Sequence, residues 1–125
     1  MDSRFYVSLE AARLLKEKGY DRECVAYYQH GTFYPYAINT QRELSITNKN
    51  ATLAYMEQYS APTKAEAIDW LESKGIYIDL LYTLDGKWDC AITIPSRGII
   101  IDDIELSNTR LEAEEAAIIK ALELL

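Results

Sequence analysis

The sequence predicts an α+β fold in which an antiparallel sheet is covered by helices. Three segments have the end signals and apolar spacing of amphipathic helices. Two further segments alternate apolar and polar residues as strands do, and a turn containing Asp-Gly joins them. The chain has 125 residues, the usual size of one domain, so we expect residues 1–125 to form a single domain.

The segment from Pro62 to Ile94 is expected to organise the fold. Thr63-Lys64-Ala65-Glu66 fits a capping box, in which the threonine hydroxyl and the glutamate satisfy backbone amides at the start of a helix. Gly75 fits the left-handed position that follows a helix. These signals predict a helix over residues 63–74.

The two strands after that helix, residues 76–82 and 88–94, both place their apolar residues at even positions. A two-residue turn would put the two apolar rows on opposite faces of the hairpin. The three-residue loop Leu84-Asp85-Gly86 keeps them on one face and gives Gly86 the left-handed position of a bulged turn. It predicts four pairs: Tyr82 with Trp88, Leu80 with Cys90, Ile78 with Ile92, and Ile76 with Ile94. We expect the helix at 63–74 to cover this face.

The first half of the chain shows a similar order of signals. Ser8 as N-cap and Gly19 as the residue after the helix predict a helix at about 9–18. Strands are expected at Cys24–Gln29 and Thr32–Asn39 around the turn His30-Gly31, and Pro35 marks the second as an edge strand or a bulge. The segment Glu43–Thr47 fits a short strand. Residues 51–59 fit a helix or a strand, with the strand preferred.

The last part of the chain predicts a strand region at Ile99–Leu106 and a long helix opened by a capping box at Thr109. Lys18-Gly19-Tyr20 and Lys74-Gly75-Ile76 occupy similar places before a hairpin. This echo suggests an αββ-αββ-α arrangement, either as a true repeat or as shared hairpin chemistry.

Composition limits the function classes. The net charge of −7 and the pI near 4.7 argue against direct binding to nucleic acid through phosphate neutralisation. No apolar run approaches the length of about 20 residues that a membrane span needs, and the N-terminus lacks a secretion signal. We therefore expect a cytoplasmic protein. Cys24 and Cys90 lie in predicted strands and are expected to be buried thiols.

No motif for catalysis or for a cofactor is present. His30 is the only histidine, and its place beside a turn glycine is typical of a surface residue. A zinc site of known spacing is absent, so we expect no metal and no cofactor. Five aspartates could supply oxygen ligands to a hard cation, but they do not match an EF-hand and fit solvated faces and turns better: Asp79, Asp85, Asp89, Asp102 and Asp103.

The tyrosines are the most unusual feature, with ten in the chain. Tyr28, Tyr34 and Tyr36 fall in the first hairpin and would share a face if its turn mirrored the second one. Tyrosine is enriched at protein interfaces, so these three residues are the candidate interaction surface. The alternatives are that they are half-buried strand residues, or that they stack nucleic-acid bases, which the acidic charge disfavours.

Several short sequences resemble those of a family of small proteins from Bacteroidetes and their phages that has no assigned activity. They are Ser8-Leu9-Glu10 before the first helix, Ala61-Pro62-Thr63 leading to Ala67, Trp70-Leu71 and Ile76-Tyr77-Ile78, and Ala121-Leu122 in the last helix. These motifs are structural, so the resemblance implies a bacterial or mobile-element setting and no chemistry.

Three hypotheses for function follow. The leading one is a non-enzymatic interaction module that pairs with itself or with another protein through tyrosine-rich or edge-strand surfaces. The second is a mobile-element inhibitor, or acidic mimic, that acts on a host protein of nucleic-acid metabolism. The third is an enzyme whose site is assembled from distant residues such as His30, Asp79 and Cys90.

Overall fold

The computed structural model describes residues 3–35, 50 and 57–125. This part of the chain contains three α-helices and two three-stranded antiparallel sheets, which confirms the α+β class. The chain divides into two compact units, Met1–Thr63 and Lys64–Leu125, and each has its own sheet. A single domain over residues 1–125 stays a prediction.

The first unit contains one α-helix and a small sheet among its described residues. Helix α1 spans Leu9–Glu17, and the strands are β1 (Tyr27–Gln29), β2 (Thr32–Tyr34) and β3 (Gln58–Ser60). Strand β1 is central and antiparallel to both neighbours, in the order β2-β1-β3. The preferred strand assignment for residues 51–59 is thus confirmed at its end. Residues 36–39, the predicted strand Glu43–Thr47 and residues 51–56 lie outside the described residues.

Helix α1 begins and ends where the sequence predicts. The Ser8 hydroxyl oxygen accepts a hydrogen bond from the Ala11 amide at 3.1 Å, as an N-cap does. At the other end Gly19 has a φ of +92°, and the Tyr20 amide donates to the Leu15 carbonyl oxygen at 2.9 Å. These are the features of a Schellman motif. Since Leu15 and Tyr20 are both buried, packing holds the end of the helix in place.

Asn50 connects the end of α1 to β3. Its Nδ2 donates to the carbonyl oxygen of Tyr20 at 2.9 Å, and its Oδ1 accepts from the amide of Ser60 at 2.9 Å. Tyr20 and Ser60 are buried, so this side chain satisfies backbone groups inside the unit.

The second unit places two helices on one face of a sheet. Its elements are α2 (Lys64–Ser73), β4 (Tyr77–Tyr82), β5 (Trp88–Ile94), β6 (Ile99–Ile101) and α3 (Arg110–Leu124), with a 3₁₀ turn at Pro95–Arg97. The sheet order is β4-β5-β6, and both strand pairs are antiparallel. Of the predicted strand region Ile99–Leu106, only the first three residues form a strand.

The hairpin of β4 and β5 has the predicted register. Tyr82 lies opposite Trp88, Leu80 opposite Cys90, and Ile78 opposite Ile92. The fourth predicted pair, Ile76 with Ile94, lies just beyond the ladder, which begins at Tyr77 opposite Thr93.

The turn of this hairpin is the predicted three-residue loop. The Thr83 amide donates to the Lys87 carbonyl oxygen at 2.8 Å, and Gly86 has a φ of +83°. Apolar rows at even positions therefore sufficed to determine the loop length here.

Both helices of this unit cover the even-numbered face of the hairpin. Helix α2 packs on β4 and on α3, whereas α3 packs on both β4 and β5. The expectation that the helix at 63–74 provides the cover is therefore incomplete, because the terminal helix spans both strands. The buried side chains between the helices and this face include Ile92, Ile94, Leu71, Ala117, Ile118, Ala121 and Leu122.

The third strand lies in a different place in each unit. In the first unit β3 pairs with β1, the strand before the turn, whereas in the second unit β6 pairs with β5, the strand after the turn. The two sheets are therefore not copies of one arrangement, which disfavours a true repeat. The similar helix ends at Gly19 and Gly75 are accounted for by shared capping chemistry.

Candidate interaction surface

The first hairpin does not place the predicted tyrosines on one face. Tyr27 lies opposite Tyr34, and Tyr28 lies opposite Phe33. Directly opposed residues share a face and neighbours along a strand do not, so Tyr28 and Tyr34 point to opposite faces. The expectation that Tyr28, Tyr34 and Tyr36 share a face is therefore wrong for the first two, and Tyr36 lies outside the described residues.

The reason is the length of the turn. His30 and Gly31 alone connect the two strands, and both have positive φ angles, +49° and +81°. Two left-handed residues form a type I′ turn, whose twist suits a two-residue hairpin. Histidine is among the side chains that tolerate this conformation. The dipeptide His30-Gly31, interpreted as an analogue of Asn-Gly, was the signal that could have revealed the shorter turn.

The two tyrosines have different surroundings. The Tyr28 hydroxyl donates to the Val7 carbonyl oxygen at 2.8 Å, and its ring contacts Phe33 with centroids 5.3 Å apart. Tyr28 is thus half-buried and structural, as the alternative interpretation held. Tyr34 is 41% exposed and stacks on Tyr27 with ring centroids 5.2 Å apart, so this pair is one exposed aromatic contact point among the described residues of the first unit.

In the second unit the face of the sheet opposite the helices carries exposed apolar side chains. Tyr77, Leu81 and Ile100 are 43%, 66% and 69% exposed. Tyr77, Thr93 and Ile100 form one row across the three strands, and Leu81 lies opposite Asp89. We call this set, Tyr77, Leu81 and Ile100 with their neighbours Asp79, Asp89, Ala91 and Thr93, the open face. Its signal in the sequence is that β4 has apolar residues at odd as well as even positions.

Strand β4 also has an unpaired outer edge. In the described part of the chain it pairs with β5 alone. Its sequence, Tyr-Ile-Asp-Leu-Leu-Tyr, contains no proline, glycine or lysine and one charge, Asp79. Proteins usually protect edge strands with lysine, proline or bulges, so an apolar edge of six residues is a site where another strand can add.

Asp79 and Cys90, two of the residues in the enzyme hypothesis, lie on neighbouring strands with their side chains on opposite faces of the sheet, since Cys90 is paired with Leu80 and Asp79 with Ala91. They line a cavity of about 160 Å³ on the second unit together with Leu81, Asp89 and Ala91. Burial, and then the neighbouring Asp89 carboxylate, raise the pKa of the Cys90 thiol above its ordinary value. The thiolate is the nucleophilic form, so this environment suppresses the reactivity of Cys90 rather than promoting it.

The pKa of Cys90 predicts a pH dependence of stability. In the unfolded chain the Cys90 thiol ionises at about pH 8.5. In the folded chain the raised pKa keeps this thiol protonated at the same pH. The folded state then binds more protons than the unfolded state, so stability is retained below that pH and falls as the pH rises above it. In urea unfolding between neutral pH and pH about 10, Cys90→Ala is expected to lose less stability than the parent. Parallel profiles for the two proteins would contradict this.

His30 lies in the first unit, in the turn of its hairpin. Its Nδ1 is 3.3 Å from Glu57 Oε2, and both side chains are mainly exposed. No group of three or more histidine, cysteine, aspartate or glutamate side chains in the described ranges could hold a metal ion. A surface contact with Glu57 beside the turn accounts for this histidine.

A second depression, of about 450 Å³, lies on the first unit between α1 and β3. Its described lining is Arg13, Lys16, Glu17 and Tyr59. The Lys16 ammonium lies 5.2 Å from the centre of the Tyr59 ring and donates to the Gln58 carbonyl oxygen at 3.0 Å. The Arg13 guanidinium lies 5.8 Å from the same ring. These contacts pack the helix on the strand, as cation–π pairs commonly do.

Comparison with protein-family models, with curated proteins and with solved structures finds no match to this chain. Among the helices that the structure describes, none has the length and apolar character needed to cross a bilayer.

Proposed function

We propose that this protein is a non-enzymatic interaction module whose binding surface is the open face together with the outer edge of β4. The observation that carries the proposal is the coincidence of exposed Tyr77, Leu81 and Ile100 with an unprotected edge strand in one sheet. Exposed apolar side chains that cluster on one face mark interaction sites more often than scattered ones do.

The mode of binding that this surface supports is strand addition. An incoming extended segment gains main-chain hydrogen bonds along the edge of β4, and its alternate side chains pack beside the open face. Exposed Leu81 favours partners that place an apolar group against it, whereas the neighbouring carboxylates of Asp79 and Asp89 favour hydrogen-bond donors beside that group. The stacked pair of Tyr27 and Tyr34 is a further aromatic contact point in the first unit.

We infer that the module acts in the cytoplasm. Cys24 and Cys90 are both buried, and neither forms a disulfide bond, which is the usual state of thiols in reducing compartments.

Site-specific photocrosslinking tests the proposal. A photoreactive phenylalanine analogue at Leu81, on the open face, is expected to give a covalent adduct with a polypeptide in cells of the source organism. The matched control carries the same analogue at Glu72, an exposed polar position on α2. Equal adduct yields at the two positions, or none at Leu81, would remove the basis of the proposal.

The identity of the adduct then separates the hypotheses. A host protein of nucleic-acid metabolism would favour the acidic-mimic hypothesis, which stays a prediction. An adduct with any other polypeptide, including a second copy of the chain, supports the interaction module.

A further inference from the structure

The hydrogen-bonding phase of β4 shows which of its backbone groups face outward. The Thr83 amide bonds to Lys87 across the hairpin, so the next pair along the ladder, Tyr82 with Trp88, is not hydrogen-bonded. Trp88 instead exchanges both of its backbone bonds with Ser107, at 2.8 and 2.9 Å, on the far side of β5. By alternation, the amides and carbonyls of the even residues of β4 point away from β5.

Three residues therefore present donors and acceptors along the outer edge: Ile78, Leu80 and Tyr82. Their side chains point to the helix-covered face, while Tyr77, Asp79 and Leu81 point to the open face. A partner strand must match both features, since it has to bond to the three even residues and to tolerate Asp79 between two apolar neighbours.

We propose that the partner is a second copy of this chain, whose β4 adds antiparallel to β4 across a two-fold axis at Leu80. This inference rests on the proposed function and names its partner. A two-fold axis perpendicular to the sheet reverses the strand direction and keeps the faces aligned, so residues of equal parity must meet. The two three-stranded sheets then become one continuous sheet of six strands.

The position of the axis follows from bonding and charge. With Leu80 on the axis, Leu80 meets Leu80 and Ile78 meets Tyr82 twice, so all three outward-pointing residues form hydrogen-bonded pairs. Each such pair exchanges two bonds, which gives six across the junction. On the open face each Asp79 then lies opposite the Leu81 of the other copy.

The neighbouring register is disfavoured by charge. An axis at Asp79 would place the two Asp79 carboxylates directly opposite each other in a closely spaced pair, and like charges at such positions are destabilising. The same axis leaves Tyr82 outside the paired residues. An axis at Leu80 therefore pairs all three outward-pointing residues of β4 and keeps the two Asp79 carboxylates apart.

The whole-chain charge adds a second signature. Each copy carries a net charge of −7, so two copies repel each other at long range. Salt screens this repulsion while leaving the strand bonds and apolar contacts in place. The dimer is expected to tighten as the salt concentration rises.

Cysteine trapping tests both the dimer and its register. In the register centred on Leu80, position 79 of one copy faces position 81 of the other at a Cα separation of about 4.5 Å, which suits a disulfide. Two copies of position 79 would be diagonal neighbours, with Cα atoms about 7–8 Å apart and too distant to bridge. Under mild oxidation, a mixture of the variants Asp79→Cys and Leu81→Cys should form a disulfide-linked dimer that neither variant forms alone.

The controls use the same full-length chain. Leu84→Cys, in the exposed hairpin loop, sets the background of random crosslinking. Crosslinking of Asp79→Cys with itself would overturn the Leu80 register. The unmodified protein provides a measurement that needs no variant: light scattering at several protein and salt concentrations should give twice the 14.3 kDa of one chain. A monomer under all conditions overturns the inference, and Leu81 photoadducts with another protein would still leave the interaction module supported.

Discussion

Replacement of Ile92 by alanine is expected to lower the free energy of unfolding of the second unit by about 2–5 kcal/mol. Ile92 has no exposed surface and lies on the central strand β5, between Ile78 and Ile101 on the face that α3 covers. Removing its outer carbons leaves a cavity. The flanking strands β4 and β6 and the covering helix α3 are held in place by other contacts, so they do not move in to fill it. Both tryptophans, Trp70 and Trp88, lie in this unit, so urea unfolding followed by tryptophan fluorescence reports on it.

Two matched variants make the test specific. Ile92→Val removes one methylene and should cost about 0.5–1.5 kcal/mol. Ile100→Ala changes an isoleucine of the same sheet on the open face, where it is largely exposed, and should stay within about 0.5 kcal/mol of the parent. Similar losses for Ile92→Ala and Ile100→Ala would show that the assignment of the two faces is wrong.

Replacement of Asn50 by alanine is expected to destabilise the first unit by about 2–4 kcal/mol, because it removes two hydrogen bonds to backbone groups of buried residues. The loss should be largest at the junction between the end of α1 and β3. Amide hydrogen exchange of Ser60, measured by NMR, checks this directly, since its amide donates to Asn50 Oδ1. Faster exchange is expected in Asn50→Ala than in the parent.

Asn50→Asp separates the two bonds. Aspartate keeps an acceptor for the Ser60 amide but cannot donate to the Tyr20 carbonyl oxygen when ionised. Protection of Ser60 should therefore be retained in large part, while stability still falls. If Asn50→Ala left both the exchange rate of the Ser60 amide and the stability unchanged, the two hydrogen bonds of Asn50 would make no contribution to the free energy of unfolding.

The two hairpins show why one register could be predicted and the other could not. In β4 and β5 the apolar residues of both strands stand at even positions, and only a three-residue loop keeps them on one face. In β1 and β2 the aromatic residues Tyr27, Tyr28, Phe33 and Tyr34 occupy both parities. With aromatic side chains on either face, the pattern is the same for a two-residue and a three-residue turn, so the parity argument has no force there.

The candidate interaction surface could likewise be predicted from the sequence only in part. The sequence predicted tyrosines as interface residues, but it could not separate Tyr28, which bonds to Val7, from Tyr34, which is exposed. The sequence does not reveal the open face, because Tyr77 and Leu81 stand at odd positions of a strand whose even positions form the predicted core face. Which face a pair of helices covers depends on contacts between segments far apart in the chain.

The sequence by itself determined the local features of this protein: the starts of α1 and α3 at Ser8 and Thr109, the ends of α1 and α2 before Gly19 and Gly75, and the register around Gly86. Each depends on hydrogen bonds and backbone angles within a few residues, so local residue types suffice. Only the tertiary structure decided that β3 pairs with β1, that α3 covers both β4 and β5, and that β4 pairs with β5 alone among the described strands. These are long-range pairings, chosen by the burial of apolar surface in the whole unit, and no short stretch of sequence encodes that sum.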